Sequence, residues 1–103
     1  MKIKELRELT DKHYIINCVL PQDENYDVCA KVMSINKEGK YEVYVEQRND
    51  KINCKVYDTE EEACEAFVDT FAICMKEVFN NESYFNRRNF YTEAMEIINR
   101  EKI

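Results

Sequence analysis

The chain has 103 residues, 45% apolar and 35% charged, with a formal net charge of −6. This length predicts one domain, and the composition excludes a disordered chain. No apolar run approaches the ~20 residues needed to cross a bilayer. The acidic balance opposes direct nucleic-acid binding, whose affinity comes largely from Lys and Arg displacing counterions. It favours a partner with a basic surface instead.

The N-terminal stretch from Met1 to Glu8 mixes charges and lacks an apolar signal core, so a cytoplasmic protein is expected. Ile3, Leu6 and Leu9 share one helical face and predict a short helix over Ile3 to Asp11. His13 to Leu20 follow as a β-branched, apolar run that predicts a strand ended by Pro21. Gln22 to Asn25 form a polar loop. Tyr26 to Ile35 predict a second strand, with Val28, Ala30 and Val32 on the buried face and the charged Lys31 opposite.

Asn36 to Gly39 form a turn, and Gly39 is free to take a positive φ. Tyr41, Val43 and Val45 then alternate with Glu42, Tyr44 and Glu46. Arg48 to Lys51 read as a second turn, after which Ile52, Cys54 and Val56 alternate with Asn53, Lys55 and Tyr57. Short turns between alternating runs imply antiparallel neighbours.

A long helix starts at a predicted capping box. Thr59 accepts from the Glu62 N–H while the Glu62 side chain reaches back to the Thr59 N–H. Glu60, Glu61 and Glu62 face the positive end of the helix dipole. Ala63, Phe67, Phe71, Cys74 and Val78 form one apolar stripe, widened by Cys64, Val68, Ala72, Met75 and Phe79. A stripe this broad predicts a helix packed across the inner face of the sheet as the main core donor. Asn80 to Ser83 end it, and a last helix is expected from Arg87 to Lys102 with Phe90, Ala94, Ile97 and Ile98 inward. The predicted class is α+β: a small antiparallel sheet, a three-stranded meander plus a fourth strand, with helices packed on one face.

Catalytic chemistry is sparse. Five cysteines are an odd number in a chain without an export signal, so reduced thiols acting as small buried hydrophobes are expected. His13 is the only histidine and no cysteine pair has zinc-ligand spacing, so neither a metal site nor a thiol enzyme is supported. Ser34 and Ser83 sit in no nucleophile motif, and a lone glycine makes no phosphate-cradling loop. No cofactor is expected. Arg87 and Arg88, among aromatics, are too few to hold a single strand against the acidic remainder.

The more informative feature is the expected polar face of the sheet, with Glu42, Tyr44 and Glu46 beside Asn53, Lys55 and Tyr57. Two tyrosines on a rigid platform suit a binding hot spot. Cross-strand pairing alone also accounts for such residues. On the binding reading Glu42, Tyr44, Glu46 and Tyr57 make the contact, with Asp58, Glu61 and Glu65 at its rim. Tyr44 then serves affinity and not stability.

The block Tyr41-Glu-Val-Tyr-Val-Glu-Gln-Arg48, with Val56-Tyr-Asp-Thr-Glu-Glu-Glu-Ala-Cys-Glu-Ala-Phe67, resembles the small α+β immunity proteins of bacterial polymorphic toxin systems of the contact-dependent inhibition type. Tyr41 stands at the leading aromatic, Val43-Tyr44 at the following dipeptide and Arg48 at the arginine. Glu60, Ala63, Cys64 and Phe67 match the helix. The resemblance implies a cytosolic, non-enzymatic protein, monomeric or weakly dimeric, that blocks one cognate toxin domain, often a nuclease. An acidic inhibitor that imitates nucleic acid is the alternative, and a small enzyme using His13 a further one.

Overall fold

A computed structural model of the chain describes residues 1–15, 18–21, 23, 30–48, 50–74 and 82–102. The elements run α1 (Ile3–Lys12), β1 (Cys18–Val19), β2 (Ala30–Ile35), β3 (Tyr41–Gln47), β4 (Asp50–Tyr57), α2 (Glu60–Cys74) and α3 (Glu82–Glu101). The four strands form one sheet in the order β1-β2-β3-β4. β1 pairs parallel to β2, and the other two pairings are antiparallel. The fold is α+β, as expected.

Turn chemistry sets the meander. Asn36 Oδ1 accepts from the N–H groups of Glu38 and Lys40, at 2.9 and 3.0 Å, and Gly39 takes φ 79°. At the next hairpin Gln47 pairs with Asp50, so Asp50 and Lys51 belong to β4 and not to the turn. Arg48 supplies the positive φ (51°) that a two-residue hairpin loop favours.

α2 starts where the sequence puts it. The Glu62 N–H donates to Thr59 Oγ1 at 3.2 Å. The Glu62 carboxylate, however, accepts from the Thr59 hydroxyl at 2.9 Å, in place of the expected Thr59 N–H. Ala63, Cys64, Phe67, Val68 and Phe71 are all buried in the main core. On the sheet side this core takes Met33 and Val43, and on the helix side Leu6, Leu9, Phe90, Ala94 and Ile98. α2 touches β2, β3 and β4 on one side and α1 and α3 on the other. It is the middle layer. Phe71 ties the layers together, with its ring centroid 4.2 Å from the Lys31 ammonium of β2 and 4.9 Å from the Phe90 ring of α3.

Several expectations need correction. His13 is the C-terminal cap of α1 and not a strand residue, and β1 is only two residues long. In β2 the helix-covered face carries Met33, while Val32 packs on the opposite face with Val19 and Tyr44. Lys31 reaches the helix side after all. Its ammonium donates to the Thr70 carbonyl at 2.6 Å and sits 4.2 Å from the centre of the Phe71 ring. α3 begins at Glu82, so Glu82 and Ser83 are helical and not loop. The expected strand start at Tyr26 to Cys29, the loop residues Gln22, Glu24 and Asn25, and Met75, Val78, Phe79, Asn80 and Asn81 lie outside the described residues, as does the side chain of Cys74.

Because Phe67 is fully buried in the main core, Phe67→Ala should cost about 3–5 kcal/mol. Urea unfolding should show this as a lower midpoint at unchanged slope. A loss below about 1 kcal/mol would contradict the three-layer packing.

Candidate functional site

β4 is an edge strand, hydrogen-bonded to β3 on one side only. Its pairing is irregular. Val43 faces Lys55 and Val45 faces Ile52, so β4 holds one more residue than β3 over this stretch. Asn53 is the bulge residue, with φ 55°. Side chains alternate with period two, so one inserted residue reverses the faces beyond it. Ile52 therefore lies with Val45 on the helix-covered side, whereas Cys54 and Val56 point to the opposite face.

The bulge dismantles the predicted platform. Tyr57 pairs with Tyr41 and packs against the main core, on the other side of the sheet from Tyr44. Tyr44 is only 9% exposed, packed with Val19 and Val32, and its ring lies 4.9 Å from the Lys51 ammonium. It is a small core of its own and not a displayed anchor. Glu42 accepts from Lys51 at 3.3 Å and from the Cys54 thiol at 3.4 Å. The Cys54 and Lys51 bonds hold its carboxyl below the usual range. Glu46 keeps one carboxylate oxygen buried with no hydrogen-bond partner among the described residues. Glu42, Tyr44 and Glu46 share a face with Cys54 and Val56 in place of Lys55 and Tyr57.

The rim residues follow α2. Asp58, 77% exposed, pairs with Lys40 at 3.3 Å. Glu61 pairs with Lys2, and Glu65 accepts from Lys102 at 2.5 Å. Glu60 accepts from the Ile3 N–H at 2.7 Å. Along α2, Asp69 alone of the carboxylates has no hydrogen-bond or ion partner among the described residues. Partial burial, and then the neighbouring Glu65, push its pKa up.

Asp69 lines a cleft of about 610 Å³. This cleft opens because α2 follows β4 after only two residues and crosses toward β2, where Lys31 meets Thr70. Helix and edge strand thus diverge. Val45 and Ile52 form the floor, Ala66, Asp69 and Thr70 one wall, and Lys55 and Tyr57 the strand-side rim. Ile52 is 37% exposed there. Sequence reading missed this site because it depends on the bulge and on the helix crossing. Of the predicted contact residues only Tyr44 and Tyr57 line it, and the Tyr44 ring packs on the opposite face of the sheet.

His13 Nε2 lies 2.6 Å from Glu93 Oε2, joining α1 to α3 away from the cleft. Cys64 is buried, and burial pushes its thiol up to about 12; Cys18 is pushed up to about 11 by the same cause. Cys54 is exposed, contrary to expectation, and partial burial followed by the Glu42 carboxylate raises its pKa. All three thiols are protonated at neutral pH and poor nucleophiles. No cluster of three or more metal-ligating side chains occurs among the described residues. No helix among them is long and apolar enough to cross a membrane. Comparison with protein-family models, curated proteins and solved structures gives no match.

Two predictions concern these residues. Tyr44→Ala should lower stability by about 3 kcal/mol, because it empties a buried aromatic site. An unchanged melting temperature would restore Tyr44 as a surface residue. For Asp69, the folded state holds its proton to higher pH than the unfolded state does. Stability therefore falls as pH rises through the raised pKa. Asp69→Asn should raise the melting temperature at pH 7, and the gain should shrink as pH is lowered toward about 4, near the usual carboxylate value. A loss at pH 7 would mean that Asp69 is held by a favourable partner.

Proposed function

We propose that this chain is an immunity protein, a non-enzymatic binder that neutralises a cognate bacterial toxin domain by occluding a working surface of it. The observation that carries the reading is the open apolar cleft between β4 and α2, a concave surface with no nucleophile–base pair among the described residues that line it. A shape with apolar floor, charged rim and no reactive group suits capture and not turnover. The resemblance over residues 41–67 and the net charge of −6 support the same reading. Asp58, Glu61 and Glu65, on α2 and its leading turn, lie outside the lining of the cleft, where they would add to the long-range field that draws a basic surface. A nuclease is the toxin class whose charge fits best.

No observation favours the nucleic-acid decoy. That mechanism needs free carboxylates in phosphate-like rows, and Glu42, Asp58, Glu61 and Glu65 are each paired with a lysine. A small enzyme built on His13 gains no support, since His13 does not line the cleft.

The decisive assay is bacterial growth with the C-terminal domain encoded immediately upstream, expressed alone and beside this chain. Arrest by the domain alone and rescue by the pair are expected. A harmless domain, or one that stays lethal in the pair, would contradict the proposal.

A further inference from the structure

Resting on that reading, we infer that the cleft receives an amphipathic helix of the partner, laid beside α2 on the open side of β4, with a basic residue meeting Asp69 and an acidic one meeting Lys55.

The argument begins with what the sheet leaves uncovered. A helix is about 10 Å across and strands lie about 4.8 Å apart, so one helix covers about two strands. α2 reaches β4 near Tyr57 and has moved toward β2 by Thr70, so among the described residues no helix lies above the Ile52 end of β4. A second helix on the same face is the packing that α+β sheets use to cover such ground. The exposed Ile52 and the half-buried Val45, Ala66 and Tyr57 present the apolar footing for it.

Addition of a strand to the β4 edge is the competing mode, and the edge is built against it. The Asn53 bulge breaks the regular ladder, and Lys51 and Lys55 place charge along it. Bulges and lysines are the devices by which natural edges resist pairing. The backbone edge is therefore guarded while the side-chain cleft beside it stays open.

Charge selects the occupant further. Glu60, Glu61, Glu62 and Glu65 of α2 each have a partner within the chain. Asp69 has only the longer-range attraction of Lys102 and no hydrogen-bonded or ion-paired partner, and Lys55 across the cleft has no such partner either, among the described residues. Asp69 is also the carboxylate for which partial burial and Glu65 make ionisation unfavourable. A cation arriving from outside relieves that cost, so Asp69 trades stability of the free chain for binding.

A display library of helical peptides of about 18 residues, the length of β4 at 1.5 Å per residue, tests this on the full chain. Selected sequences should carry an apolar stripe at i, i+3, i+4 and i+7 and a Lys or Arg. Affinity should fall at least tenfold on Ala66→Arg, with folding checked by circular dichroism. Because the bulk of Arg at position 66 bears on α2 itself, Asp69→Lys, at an exposed position, is the second variant: it should weaken the selected peptides and favour versions whose basic residue is changed to Glu. Selection of alternating strand-like sequences, or affinity indifferent to both variants, overturns the inference. So does a dimer of the chain alone that Ala66→Arg dissociates, since a second copy then fills the cleft. Growth rescue that survives Ala66→Arg overturns the helix while leaving the immunity reading intact. Helix binding without rescue does the reverse.

Discussion

Everything in this structure leans on the apolar stripe of α2. Ala63, Cys64, Phe67, Val68 and Phe71 are buried between the sheet and the other two helices. Full burial of each large side chain contributes about 1.5–3 kcal/mol before ordering entropy is counted. Among the described residues no other element touches both layers. The direction in which α2 crosses the sheet therefore decides which part of the sheet is covered, and so where a cleft can form.

The crossing is fixed at both ends. At its start, Thr59 and Glu62 cap the helix two residues after β4, which holds it over Tyr57. Farther along, the Lys31 ammonium holds the Thr70 carbonyl and lies over the Phe71 ring, which draws the helix toward β2. A lysine on a helix-covered face is therefore structural here. The divergence between these two anchors is what exposes Ile52 and leaves Ala66 half-buried.

Most of the fold was legible in the sequence because its signals are local. The alternation of Tyr41 to Glu46, the Asn36 to Gly39 turn and the α2 stripe each specify an element within a few residues. The order of elements and the α+β class follow from them. The site was much less legible. Nothing in Ile52-Asn53-Cys54-Lys55 announces a bulge, since Asn53 reads equally well as an ordinary polar strand residue. Its positive φ comes from the pairing with β3, a tertiary fact. With parity carried through unbroken, Tyr57 was placed beside Tyr44, and the cleft between strand and helix could not be seen. Lys31 misled for a related reason: its long stem lets a charged head leave an apolar face while the residue still belongs to it.

The most direct test of the account is a map of the contact on the intact chain. Backbone amide shifts, followed while the upstream-encoded toxin domain is titrated in, report each residue separately. The account predicts the largest changes at Ile52, Lys55, Tyr57, Ala66, Asp69 and Thr70. Changes centred on Glu42, Cys54 and Val56, on the opposite face of the sheet, would contradict it.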